Sequence, residues 1–234
     1  MKNPSWNNEV LATPKTMFEQ VYDLLRGKIL NQEIKPGEVL LEVSVSEALG
    51  VSRTPVREAF RLLKHDSLVS RNPRGGVRVT ELTMEDLIEV SEVRLVFEVF
   101  SAEHICNRIT EGEIKELEKL VEEIDEIFEH ANSDEVVDLL KLGKLNAEFH
   151  DILYEAAGSH YLTRILEIIK LPMLRYRPFS LETKKQRERS WQEHKLMISL
   201  LKDRDKKGFK KLVRKHVKDA GNAIARKLNE HQKT

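Results

Sequence analysis

Three histidines occupy positions from which their ring nitrogens could meet. In "NAEFHDILYEAAGSHYL", Asn146 and His150 are four residues apart, so on a helix they share one face with Leu142, Leu145, Phe149 and Leu153. His194 stands between Trp191 and the pair Met197 and Ile198, and His216 continues the stripe of Phe209, Leu212 and Val213 toward Ala220 and Ile224. Each faces an expected core. One such histidine reads as a hydrogen-bonded core residue. Three on three helices also read as nitrogen ligands for a divalent metal, zinc or nickel, because converging neutral imidazoles suit a metal better than they suit one another. Asn146 would add an amide oxygen without charge, leaving positions open for water or a bound carboxylate. Arg94, on the stripe of Leu87, Val90 and Phe97, is a cation expected to be buried and so in need of an anion. Either a small carboxylate effector or an acid such as Glu98 or Glu148 would serve.

A second constellation lies in "LGVSRTPVREAF". On a helix, Val56, Ala59, Phe60 and Leu63 fall on one face, while Arg53, Arg57, Arg61 and Lys64 fall on another about 100° round the axis. One face packs and the other is free to meet a polyanion. Arginine can bond a guanine edge bidentately in the major groove, and a recognition helix uses its N-terminal residues there, which points to Arg53, Thr54 and Arg57 as base readers. Arg61 and Lys64 would meet phosphate. Arg74, Gly75 and Gly76, at a turn, would let one cation and bare backbone approach the flanking minor groove.

The bulk composition hides this signal. Lys+Arg and Asp+Glu are equal at 39 each over 234 residues, so any preference for a polyanion must be local. It is: from Val51 to Thr80 the cations are Arg53, Arg57, Arg61, Lys64, Arg71, Arg74 and Arg78, against Glu58 and Asp66 alone. Cys106 is the single cysteine, which excludes an internal disulfide and a cysteine-rich zinc site. Neither a signal-peptide core nor a run of about 20 apolar residues is present, so a cytoplasmic protein with no membrane partner is expected.

The elements follow from periodicity and punctuation. Residues 1–14 read as a loose arm. Apolar positions from Phe18 to Ile29 predict a first helix. Ser44 with Glu47 resembles a capping box that opens a second helix ending at Gly50, and Ser52 or Thr54 would cap a third with Pro55 at its first position. "LVSRNPRGGVRVTEL" punctuates as a hairpin, which makes residues 15–81 a winged helix-turn-helix. Residues 82–230 read as helices near 83–109, 111–131, 134–157, 159–178, 183–202 and 205–230, with Pro172 expected to kink or break the fourth. The fold class is therefore mainly α, a winged helix-turn-helix followed by an antiparallel all-α bundle.

"LGVSRTPVREAF" with "LVSRNPRGGVRV" closely resembles the DNA-binding domain of the GntR family of bacterial transcription regulators, over about residues 16–80. The resemblance implies a homodimer on double-stranded DNA with a palindromic operator, Arg53, Thr54 and Arg57 touching it. This chain departs from the family pattern in having Val43 where arginine is frequent and Ser67 where glycine is favoured. "EVRLVFE", "NAEFHDILYEAAGSHYL", "EHKLMISLLKDRD" and His216 resemble the FCD ligand-binding domain of the FadR subgroup, over about residues 83–230. That resemblance implies metal on His150, His194 and His216, Asn146 standing where aspartate is common, and an effector carboxylate on Arg94. Six helices rather than seven would suggest the VanR-like branch. The function expected is a ligand-responsive regulator, a repressor, and not an enzyme. Alternatives are a purely structural metal, or a metal enzyme tethered to DNA, for which no HExxH run, phosphate loop or general base is present.

Overall fold

The computed structural model describes residues 15–130, 139–180 and 183–231, less the side chains of residues 130, 140, 177–180 and 231. The arm expected over residues 1–14 lies outside them. The chain divides into two compact units, Met1–Thr80 and Glu81–Thr234.

In the first unit, α1 (Met17–Leu30) begins at Thr16, whose side chain and that of Glu19 cap each other's backbone N–H groups. Val21, Leu25 and Ile29, at i, i+4 and i+8, are its buried stripe. Next come β1 (Val39–Leu40), α2 (Glu42–Leu49), α3 (Arg53–His65), β2 (Val69–Arg71) and β3 (Val77–Val79). The strands form an antiparallel sheet in the order β1-β3-β2, with Ser70 opposite Arg78 and Leu40 opposite Val77. The hairpin agrees with its punctuation; β1, two residues long, is too short to leave a period-2 signal and was not expected.

Three local expectations need correction. Helix α2 starts at Glu42 with Leu41 at its N-cap, so Ser44 and Glu47 lie inside it and form no capping box. It does end at Gly50, which takes the left-handed φ of +66°. Ser52 caps α3 by position without a side-chain hydrogen bond, which moves Pro55 from the first helical position to the third. Its missing N–H still falls among the four orphan donors of a helix start, so the helix loses nothing. The expected face holds: Val56, Ala59, Phe60 and Leu63 are all buried.

The second unit is built from α4 (Met84–Arg108), α5 (Glu111–His130), α6 (Leu139–Ala156), α7 (His160–Ser180), α8 (Lys184–Lys202) and α9 (Lys206–His231), six helices among the described residues. Thr83 and Thr183 cap α4 and α8 with their side-chain oxygens. Pro172 does not break α7, which stays helical from His160 to Ser180. Met173 and Tyr176, just beyond the proline, pack with Leu87, Ile224 and Leu228 from α4 and α9, and this burial outweighs one missing backbone bond. The main core runs through Ala102, Ile105, Leu117, Ile124, Phe149, Leu166, Leu201 and Phe209. No described helix is long and apolar enough to cross a membrane.

Candidate metal centre and nucleic-acid interface

Three helices of the second unit deliver the histidines. His150 comes from α6, His194 from α8 and His216 from α9, and one ring nitrogen of each lies within 4.8 Å of those of the other two. Their ring centroids are 5.3 Å (His150 and His194), 5.5 Å (His150 and His216) and 4.9 Å (His194 and His216) apart. All are buried, His194 completely, where it stacks on Phe149 at 4.2 Å and meets Trp191 edge to face at 5.3 Å. Aromatic neighbours on two sides fix its ring plane, so its orientation does not depend on a bound ligand.

One residue of this centre carries a signal that spacing did not reveal. Glu193 accepts a hydrogen bond at 2.8 Å from His216 Nδ1, which places the proton on that nitrogen and leaves Nε2 as the lone-pair donor. Burial by itself pushes the Glu193 carboxyl up, but hydrogen bonds from His216 and Lys215 overcome it and hold the group at about 2. Its partners come from α9, another helix, so no pattern within "WQEHK" announces it.

The centre opens on a cavity of about 70 Å³ whose lining includes Asn146, His150, His216, Arg94 and Tyr154. That is room for about five waters, or for a small organic acid of similar bulk. Asn146 and His150 thus reach the same space, as their i, i+4 spacing requires. Arg94 lines the cavity and is also the partner of Glu98, four residues on, which in turn accepts a 2.8 Å bond from the Tyr154 hydroxyl. Of the two acids weighed for Arg94, Glu98 is the one it meets. Burial lowers the affinity of Arg94 for its proton, but Glu98 and Tyr154 more than restore it, so the guanidinium stays charged. Burial, and then the Glu98 charge, push the Tyr154 phenol well up, so it stays a donor.

A metal fits these residues: three buried imidazoles from separate helices converge, one is oriented by a carboxylate, and an uncharged amide stands beside His150.

The first unit presents the other constellation. Arg53, Thr54, Arg57, Arg61 and Lys64 are exposed on α3, as are Arg74 and Gly75 on the β2–β3 turn. Arg57 is not a loose cation. Its Nε donates to both Glu42 oxygens at 3.2 Å and its Nη2 to Oε2 at 2.9 Å, so α2 holds one edge of the guanidinium. Arg61 pairs with Glu58 at 3.0 Å on its own helix. Gly76, at φ +70°, has a structural reason to be glycine: a Cβ there would lie 2.1 Å from the Leu40 carbonyl oxygen of β1. Ser67 has φ +58°, the left-handed conformation that glycine adopts without penalty.

A three-helix head with a β-wing and a basic recognition helix, on a chain that also carries a separate helical bundle, defines a DNA-binding regulator. Comparison with known proteins makes this specific. Residues 18–79 match the gntR family of bacterial regulatory proteins and residues 89–219 match the FCD domain. The chain is 30% identical to the HTH-type transcriptional regulator YdhC of Bacillus subtilis over 88% of this chain and 90% of that one. It is 27% identical to the HTH-type transcriptional repressor RspR of Escherichia coli over 88% of each. The solved structure of E. coli McbR/YncC has the same fold, with a TM-score of 0.77 at 22% identity over 92% of this chain and all of that one. The chain belongs to the GntR family, with an FCD domain, and is a DNA-binding transcription regulator rather than an enzyme.

Proposed function

We propose that this regulator is a cytoplasmic repressor that reads a palindromic operator as a homodimer and releases or engages it in response to a small organic acid bound in the FCD bundle. Residues 15–81 read DNA and residues 82–230 hold the effector and the partner subunit. Six described helices in the bundle support the VanR-like branch. The observation that carries the reading is the convergence of His150, His194 and His216, two of which, His150 and His216, line a cavity together with Arg94. Zinc or nickel would sit on these three nitrogens with Asn146 beside them, and when bound it would supply an open coordination position for a carboxylate oxygen. Arg94, held by Glu98 and Tyr154, would present a fixed guanidinium to the same carboxylate. Each recognition helix must reach its own half-site, so an effector that prefers one dimer geometry changes operator affinity by its differential affinity for the two geometries. Arg53, Thr54 and Arg57 would read bases, with Arg61, Lys64, Arg74 and the Gly75–Gly76 backbone on phosphate and minor groove.

Support for a second copy comes from α4. Val93, Val96 and Phe100, at i, i+3 and i+7, are 39%, 65% and 60% exposed, an uncovered apolar stripe on α4.

The test is elemental analysis with native mass spectrometry on gently purified protein. A dimer with about one divalent metal per chain and a co-purified acid is the expected result. Protein that cannot be loaded with zinc or nickel would reduce the three histidines to core residues and remove the sensor from the proposal.

A further inference from the structure

The cavity is also lined by residues of α7, α8 and α9 other than the histidines, cations among them. On α8, Gln186, Arg189, Ser190 and Glu193 line it at helical spacing, and on α9 His216, Ala220 and Ile224 do the same. Arg189 is five residues from His194 along α8, which places its Cα about 7.5 Å farther up the helix axis. Lys170 joins it from α7. Three cations therefore line the space, Arg94, Lys170 and Arg189, against Glu193 alone.

These cations differ in how fully they are occupied. Arg94 is paired with Glu98, and Lys170 bonds both oxygens of Asp151. Arg189 is not comparably held. Its Nη1 stands 3.8 Å from Asp219, an acid that Lys215 approaches to 3.1 Å, and its Nε is buried without a hydrogen-bond partner among the described residues. A buried guanidinium nitrogen left unbonded costs free energy that a ligand anion would recover. Ser190, the next residue, also lines this space.

We propose that the effector is a small dianionic acid: one carboxylate lies beside His150, His216 and Arg94, and a second anionic group, a few bonds away, is held by Arg189 with Ser190. This rests on the sensor reading above and specifies its ligand class. Arg189 thereby becomes the specificity residue. It separates two-headed acids from simple ones of equal length, whose uncharged tail would leave the buried Nε of this half-exposed side chain unbonded. Met173 and Ile224, also in the lining, are suited to the methylene spacer.

The experiment is calorimetric titration of the zinc-loaded full-length dimer with succinate, butyrate and gluconate, a dianion, a monoanion of the same chain length and a hydroxylated monoanion. Succinate is expected to bind at least on the order of tenfold more tightly than either of the others, the worth of one charge-assisted hydrogen-bonded contact. Arg189→Gln should bring succinate down to the butyrate level, while Arg189→Lys, which keeps the charge without the fork, should retain part of the preference. Equal binding of succinate and butyrate to the wild-type protein, or tighter binding of gluconate, overturns the dianion proposal and leaves the sensor reading standing. Failure of all three acids to bind overturns both. The wild-type comparison decides the matter even if a variant does not fold.

Discussion

The Glu42 and Arg57 pair sets up a sharp test of how the head reads DNA. Glu42 binds the Nε and Nη2 edge of the guanidinium, which leaves the Nη1 end directed away from α2. Arg57 keeps 55% of its side chain exposed and Glu42 keeps 29%, so solvent screens the pair and it adds little to folding. Its effect should fall on discrimination, because a preset fork loses less freedom on meeting a guanine than a free one does. Arg57→Ala removes the contact, and a bidentate arginine contact is worth roughly ten- to a hundredfold in discrimination. The operator-to-random affinity ratio should fall by that factor. Glu42→Gln keeps the shape and removes one negative charge beside the phosphates, so affinity for random duplex should rise while the ratio falls several-fold. Lys64→Ala should weaken operator and random duplex alike and lower the salt slope by about one. The assay is fluorescence anisotropy over a salt series, with an operator selected from a random duplex library. An unchanged ratio in Glu42→Gln would show that the pair does not position Arg57, and identical profiles for Arg57→Ala and Lys64→Ala would remove Arg57 from base reading.

Three further outcomes follow from the geometry. Arg94→Ala strands Glu98, which is 5% exposed, and should cost about 3–5 kcal/mol of stability by thermal denaturation. Arg94→Met with Glu98→Gln should recover most of that loss yet stay deaf to the acid in a mobility-shift assay; a normal response would take Arg94 out of effector binding. Glu193→Gln should weaken zinc binding about ten- to a hundredfold in a competition titration through the loss of the carboxylate on His216 Nδ1, and unchanged affinity would deny it an orienting role. Ser67→Gly relieves left-handed strain of about 1–2 kcal/mol and gives back about 0.4–1 kcal/mol through a looser unfolded chain, so the head should gain up to about 1.6 kcal/mol. Destabilisation in urea melts would contradict the strain at this φ.

How much of this could be read from the residues depends on the range of each determinant. The recognition helix was legible because Val56, Ala59, Phe60 and Leu63 declare its buried face within eight residues, and the arginines declare a second face about 100° round the axis. The histidines were legible one helix at a time: each lay on an apolar stripe, and the bundle then brought the stripes together. Glu42 and Glu193 were not legible. Their partners are 15 and 23 residues away on other helices, and no periodicity reports a pairing that only tertiary packing creates. The start of α2 was misplaced because Ser44 with Glu47 mimics a capping box, yet the apolar run "VLL" before it belongs to β1 and the N-cap. There the strand pairing of Leu40 with Val77 fixed the boundary against local sequence preference.

Whether the metal informs or merely supports the fold is decided by what the bundle does without it. His150, His194 and His216 are 6%, 0% and 5% exposed, and burying three imidazoles costs free energy that apolar side chains of similar volume would not. A structural metal would make the histidines indispensable, whereas a sensory one would leave a bundle that folds without them. Replacing all three by leucine should therefore give a folded, DNA-binding protein, with Glu193 still neutralised by Lys215. Metal at a hundredfold above its dissociation constant stabilises the native state by about 2.7 kcal/mol. For a unit of this size that is a rise of about 5–10 °C in melting temperature. Wild-type protein should show this rise on adding zinc and lose it on adding a chelator, while the leucine variant should melt at one temperature in both. If the leucine variant is unfolded and chelated wild-type protein unfolds with it, the metal is a structural staple, and the effector response must be sought away from the histidines.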